Sequence, residues 1–280
     1  MKVSLAKTAG FCYGVNRAVN TVFELLEQNK KVCTLGPIIH NDQLVAELSV
    51  KGVRCVENSS EVKEGETLVI RSHGVEKSVY ETLKLHGIDY VDATCPFVTK
   101  IHNIVFEASK KNRTIIIVGD ALHQEVIGIK GHAFGKVFVV SGPNELTELL
   151  EKISNDTITV VAQTTFNKQV FKECKLVVNS ICKNAEIFDT ICNATSARQE
   201  EARLLSKNND VMIVVGGKHS SNTAKLFYVC KENCERTFLI ETADEISQDM
   251  LTDGENIAVV AGASTPKSVI EAVIEKILDQ

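Results

Sequence analysis

DATCPFVTK, residues 92–100, sets a cysteine directly before a proline, at the end of an apolar segment and ahead of a helix start. After Cys95, the residues Val98, Ile101, Ile104 and Val105 fall near one helical face, the spacing of a helix that packs on a core. An apolar run, RTIIIVG (113–119), follows, and then a polar loop, DALHQE (120–125). The same order appears twice more. GFCYGVNRAV around Cys12 leads into a helix with Val15, Val19, Val22, Phe23 and Leu26 on one face, then KVCTLG (31–36) and PIIHND (37–42). TICNATSARQ around Cys192 leads into RQEEARLLSK (198–207), VMIVVGG (211–217) and KHSSNT (218–223).

The offsets agree. His40 lies 28 residues after Cys12, His123 lies 28 after Cys95, and Ser220 lies 28 after Cys192. A helical stretch and a second strand come next in each round: GVRCVE (52–57), KVFVVSG (136–142) and RTFLIE (236–241). A third strand with a polar tail closes it: TLVIRSHG (67–74), ITVVAQTT (158–165) and IAVVAGAST (257–265). Strands alternating with helices argue a parallel sheet flanked by helices in each round. The expected fold class is therefore α/β, with three similar small domains about a pseudo-threefold axis. The expected domains are residues 13–94, 95–191 and 192–280, with residues 1–12 joining the third. Ligands of open α/β sheets bind beyond the carboxyl ends of the strands, where the polar loops lie.

Bulk composition narrows the class. The chain has 280 residues, 44% hydrophobic and 24% charged, as in ordinary soluble proteins, and a chain of this size removes roughly 75% of its unfolded surface from water without disulfides. A net charge of -5 provides no basic footprint for nucleic acid. The longest apolar runs are of strand length, far short of a membrane span, and the N-terminus lacks the apolar stretch of a signal peptide. A cytoplasmic protein is expected, and in a reducing compartment its nine cysteines point to metal binding or thiol chemistry before disulfides. Cys33 and Cys55, in strand-like segments, read as core. Cys174, Cys182, Cys230 and Cys234 show no metal-site spacing.

Three thiolates without an obvious fourth suggest an incomplete coordination site. Zinc in a catalytic site keeps three protein ligands and an open position. A cubane iron-sulfur cluster on three cysteines leaves one iron free for substrate. Separations of 83 and 97 residues exclude compact ferredoxin and zinc-ribbon spacings. Around the cysteines, His40, His73, His123, Thr164, Ser220, Ser221, Asn222 and Ser264 carry short hydrogen-bonding side chains, several at helix starts that favour anions and phosphates. Plain N-capping is the alternative for Ser220, Ser221 and Asn222. Glu125, a carboxylate beside an anion site, is a candidate general acid; the alternative is a surface glutamate favoured by the helix dipole.

In order along the chain, GFCYGVNRA, GPIIHN, RSHGV, DATCPFVTK, HQEV, QTT, DTICNAT with ARQ, HSSNT and GASTP resemble the blocks of the 4-hydroxy-3-methylbut-2-enyl diphosphate reductases, the last enzymes of the non-mevalonate isoprenoid pathway. The resemblance covers nearly the whole chain. It implies a trefoil of three α/β domains around one [4Fe-4S] cluster, held by Cys12, Cys95 and Cys192. It implies reductive removal of a hydroxyl as water from an allylic diphosphate, giving isopentenyl and dimethylallyl diphosphate. His40, His73, His123, Thr164, Ser220, Ser221, Asn222 and Ser264 would contact the substrate, mostly its diphosphate, and Glu125 would donate the proton.

Two positions depart from the family pattern: Gln124 stands where a proline is expected, and Lys225 replaces an arginine. No dinucleotide fingerprint or P-loop occurs, so electrons are expected from a separate partner, and the resemblance implies a ferredoxin or flavodoxin. A monomer without membrane or nucleic-acid partners is expected. A cluster carrier and a non-redox hydro-lyase are the competing readings.

Overall fold

The apolar runs become the strands of three sheets in the computed structural model, which describes residues 2–153, 156–252 and 254–280. In chain order, β1 (Lys2–Leu5) leads through α1 (Tyr13–Glu27) to β2 (Lys31–Leu35), α2 (Asp42–Val50), β3 (Arg54–Val56), β4 (Glu66–Ile70), α3 (Lys77–Leu85) and β5 (Tyr90–Asp92). The next round runs α4 (Pro96–Lys110), β6 (Thr114–Val118), α5 (Gln124–His132), β7 (Val137–Val140), α6 (Pro143–Ile153), β8 (Ile158–Ala162), α7 (Lys168–Ile181) and β9 (Ala185–Ile187). The last runs α8 (Asn193–Ser206), β10 (Val211–Val215), α9 (Ser221–Lys231), β11 (Thr237–Ile240), α10 (Gln248–Leu251), β12 (Asn256–Ala261) and α11 (Lys267–Leu278).

The sheet orders are β3-β2-β4-β5, β7-β6-β8-β9 and β11-β10-β12-β1. Every pairing is parallel, so the three sheets repeat one topology. In each, the fourth strand is the segment that leads into a cysteine: β1 before Cys12, β5 before Cys95, β9 before Cys192. These three strands were not legible as strands. They are short and partly exposed, unlike the fully buried β4, β6, β8 and β10.

The chain forms two compact units. One comprises Met1–Asn16, Ile39–Leu48 and Asn193–Gln280; the other comprises Arg17–Ile38 and Ser49–Cys192. The first contains the sheet of β1, β12, β10 and β11. Alternation along β10 fills both its faces: Val211, Ile213 and Val215 pack with Val273 and Ile277 of α11, while Met212 and Val214 pack with Leu226 and Val229 of α9. The second unit contains the other two sheets. Along β6, Ile116 and Val118 pack with Phe171 and Val178 of α7, and Ile115 and Ile117 pack with Ile101 and Val105 of α4. Burial on both faces explains why these strands are apolar and mostly β-branched rather than alternating with polar residues. Truncating any one of these isoleucines to alanine would cost about 2–5 kcal/mol.

Cys55 departs from the core reading. It is exposed on β3, a three-residue strand at the sheet edge, whereas Cys33 on the neighbouring inner strand β2 is fully buried. No helix among the described residues is long and apolar enough to cross a membrane.

Candidate active site

Each of Cys12, Cys95 and Cys192 stands immediately before a helix, α1, α4 and α8 respectively. Cys95 is the N-cap of α4 and Pro96 occupies the first turn, where the missing proline N–H costs nothing. One hydrogen bond recurs at all three. The amide of Cys12 donates to the carbonyl of Ala263 at 3.1 Å, that of Cys95 to Ser72 at 3.0 Å, and that of Cys192 to Thr164 at 3.0 Å. Each acceptor lies two residues beyond the end of β12, β4 or β8. The three cysteines are thus anchored identically to the loops at the carboxyl ends of the strands.

The cysteine set divides by environment. Cys12, Cys95 and Cys192 are half-buried. Burial pushes the thiols of Cys33 and Cys174 up to about 11 and that of Cys230 up to about 12, and burial also raises Cys182. Neutral, enclosed thiols are poor metal ligands, because the thiolate is the ligand. Cys234 is buried and its Sγ lies 3.4 Å from the carbonyl of Asp210. Each of the three thiols stands at a helix N-terminus, where the positive end of the dipole favours thiolate, the form that binds soft metals.

In the second unit, Glu125 is 2% exposed. Thr164 donates its backbone N–H to Glu125 Oε1 at 2.6 Å and its hydroxyl to Oε2 at 2.6 Å. Both distances are short for hydrogen bonds of their kind. The Thr164 carbonyl in turn accepts from Cys192. His123 is the N-cap of α5, and its Nδ1 accepts from the Glu125 amide at 3.1 Å. Neutral His123 therefore carries its proton on Nε2. The His73 and His123 rings meet edge to face with centroids 5.6 Å apart. His73 follows Ser72, the residue that anchors Cys95.

The loop carrying His73 is stitched to α5. Gly74 has φ +72, and a Cβ there would lie 2.7 Å from His102 Cε1, so both backbone and space demand glycine. His102 stacks on His132 at 3.9 Å, and His132 Nε2 lies 3.0 Å from the Val75 carbonyl. Burial first, and then neighbouring His132, push His102 down to about 3. Arg71 Nη2 donates to Gln124 Oε1 at 2.6 Å.

In the first unit, Ser220 is the N-cap of α9 and accepts from the Thr223 amide. Asn222 Oδ1 accepts from the Ala263 amide at 3.0 Å, which fixes the amide orientation. Its Nδ2 is buried and has no partner among the described residues, a donor that a buried site rarely leaves unused. Ser264 donates to the carbonyl of His40 at 3.2 Å, and Ser221 Oγ accepts from Lys225 Nζ at 2.9 Å. Ser220, Asn222 and Ser264 are all buried.

Strand-end registers sort these residues. His40, His123 and Ser220 each lie five residues beyond β2, β6 and β10. His73 and Ser264 lie three beyond β4 and β12, where the third sheet places Thr165. Sequence reading named Thr164 and passed over Thr165, Arg71 and Gln163. The register of the three strand tails was the available signal for Thr165. Gln163 is fully buried; its Oε1 accepts from the Asp120 amide at 3.1 Å and its Nε2 donates to Thr165 at 3.1 Å.

The family model of the LytB protein matches residues 3–278. The chain belongs to the LytB family. Among relatives of this LytB member, the 4-hydroxy-3-methylbut-2-enyl diphosphate reductase of a Thermoanaerobacter species is 48% identical, over 99% of this chain and 96% of that protein. The protein of that name from Alkaliphilus oremlandii is 45% identical over 99% of both chains. A solved structure of (E)-4-hydroxy-3-methyl-but-2-enyl diphosphate reductase, described as the terminal enzyme of the non-mevalonate pathway, covers 100% of both chains at 39% identity and a TM-score of 0.73. The E-1-hydroxy-2-methyl-but-2-enyl-4-diphosphate reductase of Plasmodium falciparum covers 98% of this chain and 87% of that one, at 30% identity and a TM-score of 0.92.

Proposed function

We propose that this protein is a reductase that converts 4-hydroxy-3-methylbut-2-enyl diphosphate to isopentenyl and dimethylallyl diphosphate. The observation that carries the reading is kinship along the full chain with proteins of that named activity, 48% identical over 99% of its length. The reaction takes two electrons and two protons, and the substrate hydroxyl leaves as water.

Cys12, Cys95 and Cys192 would hold a [4Fe-4S] cluster, one per chain. When bound, the cluster supplies electrons and a Lewis-acidic iron for the leaving hydroxyl. The chain's own groups do the rest. Asn222 Nδ2, a buried donor, and the hydroxyls of Ser220, Ser221 and Ser264 hold the diphosphate together with the amides at the start of α9. His40, His73 and His123 donate to it and shield it from water. Glu125 supplies a proton. Its partner Thr164 can accept as well as donate through its hydroxyl. When Glu125 is protonated the hydroxyl therefore reverses its role, and the pair stays hydrogen-bonded in both states. Electrons arrive from a small redox protein of the ferredoxin or flavodoxin class.

Anaerobic purification followed by iron and acid-labile sulfide analysis tests the site, and turnover with a reduced viologen tests the activity. Three to four irons with matching sulfide per chain are expected for three cysteine ligands, with both diphosphate products formed only when reductant is present. Products formed without reductant would point to a hydro-lyase. Cluster transfer that survives Glu125→Gln, without turnover by the native chain, would point to a carrier.

A further inference from the structure

We propose that Arg71 and Gln124 form a clamp that positions the acid helix α5 against the loop carrying His73, with Gln124 acting as a positioning residue for Glu125 and His123. The inference rests on the reductase reading for its kinetic consequences, and on geometry alone for the clamp.

Gln124 is the first residue of α5, between the capping His123 and the buried Glu125. This is the helical position that proline suits best, because its ring presets φ and no amide partner is lost. Glutamine has no such constraint. Its side chain instead accepts from Arg71 Nη2 at 2.6 Å, a short bond from a cationic donor.

Arg71 is half-buried beside the end of β2. Gly36 has φ +68, and a Cβ there would overlap the Arg71 guanidinium, so β2 is followed by the one residue that leaves room for it. Burial lowers the Arg71 pKa, and Glu57 and Cys55 oppose that shift; a guanidinium remains charged regardless. The cation therefore cannot release Gln124 by titrating.

The other end of α5 meets the same loop. His132 Nε2 lies 3.0 Å from the Val75 carbonyl. A Cβ on Gly131 would collide with Glu76, and Gly128 lies against the Val75 backbone. The far end of the helix is thus fixed by backbone contact, while Gln124 at its start is tied to Arg71 by a side-chain bond, beside the bonds from Thr164 to Glu125. Losing the Gln124 bond removes the tie between the first turn of α5 and Arg71, and loosens the turn from which Glu125 reaches Thr164.

The test compares Gln124→Ala, Gln124→Glu, Gln124→Pro and Arg71→Ala in the cluster-loaded chain. It reads kcat and KM separately, melting temperature, and amide hydrogen exchange across residues 120–130. The expected result for Gln124→Ala and Arg71→Ala is a fall in kcat of about tenfold or more with KM nearly unchanged, and faster exchange in 120–130. Gln124→Glu keeps the acceptor and retains kcat. Gln124→Pro restores it through the ring. Combining Gln124→Ala with Arg71→Ala is no worse than Arg71→Ala alone.

A lower melting temperature with unchanged kcat in Gln124→Ala would overturn the proposal, as would additive losses in the double variant. If the native chain fails to turn over the allylic diphosphate, the reductase reading falls. Exchange alone then judges the clamp: unchanged exchange in Gln124→Ala sinks it, and faster exchange reversed by proline sustains it.

Discussion

Thr164 gives both of its donors to Glu125, each at 2.6 Å, while its carbonyl receives the amide of Cys192. One threonine therefore joins the candidate acid to a candidate cluster ligand through its backbone. A displacement of the β8 loop would move both together. Glu125 and Thr164 lie 39 residues apart in sequence, and only the parallel pairing of β6 with β8 brings them together.

Replacing Glu125 with Gln keeps the shape and removes the proton. Turnover should fall by about 10²–10⁴-fold, the usual range for a general acid, with iron content unchanged. Thr164→Val should lower kcat and also destabilise by about 1–3 kcal/mol, because a buried carboxylate loses a donor. Steady-state kinetics and urea denaturation of the same preparations separate the two effects.

Cysteine variants should fall into two groups. Serine at 12, 95 or 192 should reduce bound iron and abolish turnover. Alanine at 174 or 230 should leave iron content at the native value, since those thiols are buried and held near 11 and 12. Alkylation of the cluster-free chain at pH 8, read by mass spectrometry, should label Cys55 and spare Cys33, Cys174 and Cys230. Labelling of Cys230 in the folded chain would contradict its burial.

His102 makes stability depend on acid. Its folded pKa of about 3 lies below the ordinary 6.5, so below about 6.5 the unfolded chain takes up a proton that the native chain refuses. Stability falls as pH drops from about 6.5 toward 3, by up to about 1.4 kcal/mol per pH unit for one proton. Burial lowers His132 as well, and it adds in the same direction. His102→Gln should flatten the dependence between pH 7 and 5, measured by urea midpoints at each pH. An unchanged slope would assign the acid sensitivity elsewhere.

Gly74→Ala should destabilise by about 2–5 kcal/mol. A side chain at positive φ costs about 1–2 kcal/mol, and overpacking against His102 adds about 1–3. Gly52 also has positive φ but has open space around it, so Gly52→Ala isolates the backbone part. Thermal melts of the two variants give the comparison.

Local chemistry wrote much of this protein into its sequence. The inner strands are legible because their residues are β-branched and contiguous, and a helix follows each of three cysteines at the same offset from a polar loop. Both signals lie within a few residues of chain, where pattern and geometry correspond directly. The short strands β1, β5 and β9 carry no such signal. KVSL, YVD and AEI are half-polar, and they become strands because β12, β4 and β8 each present an open edge of backbone donors and acceptors to pair with. The burial of Glu125 and the bond from Arg71 to Gln124, 53 residues away in sequence, likewise required the sheets to form first. Apart from those three strands, sequence determined the elements and the chemistry they carry. Tertiary structure decided which polar groups are paired, because a hydrogen bond between distant residues depends on how the strands are brought into register.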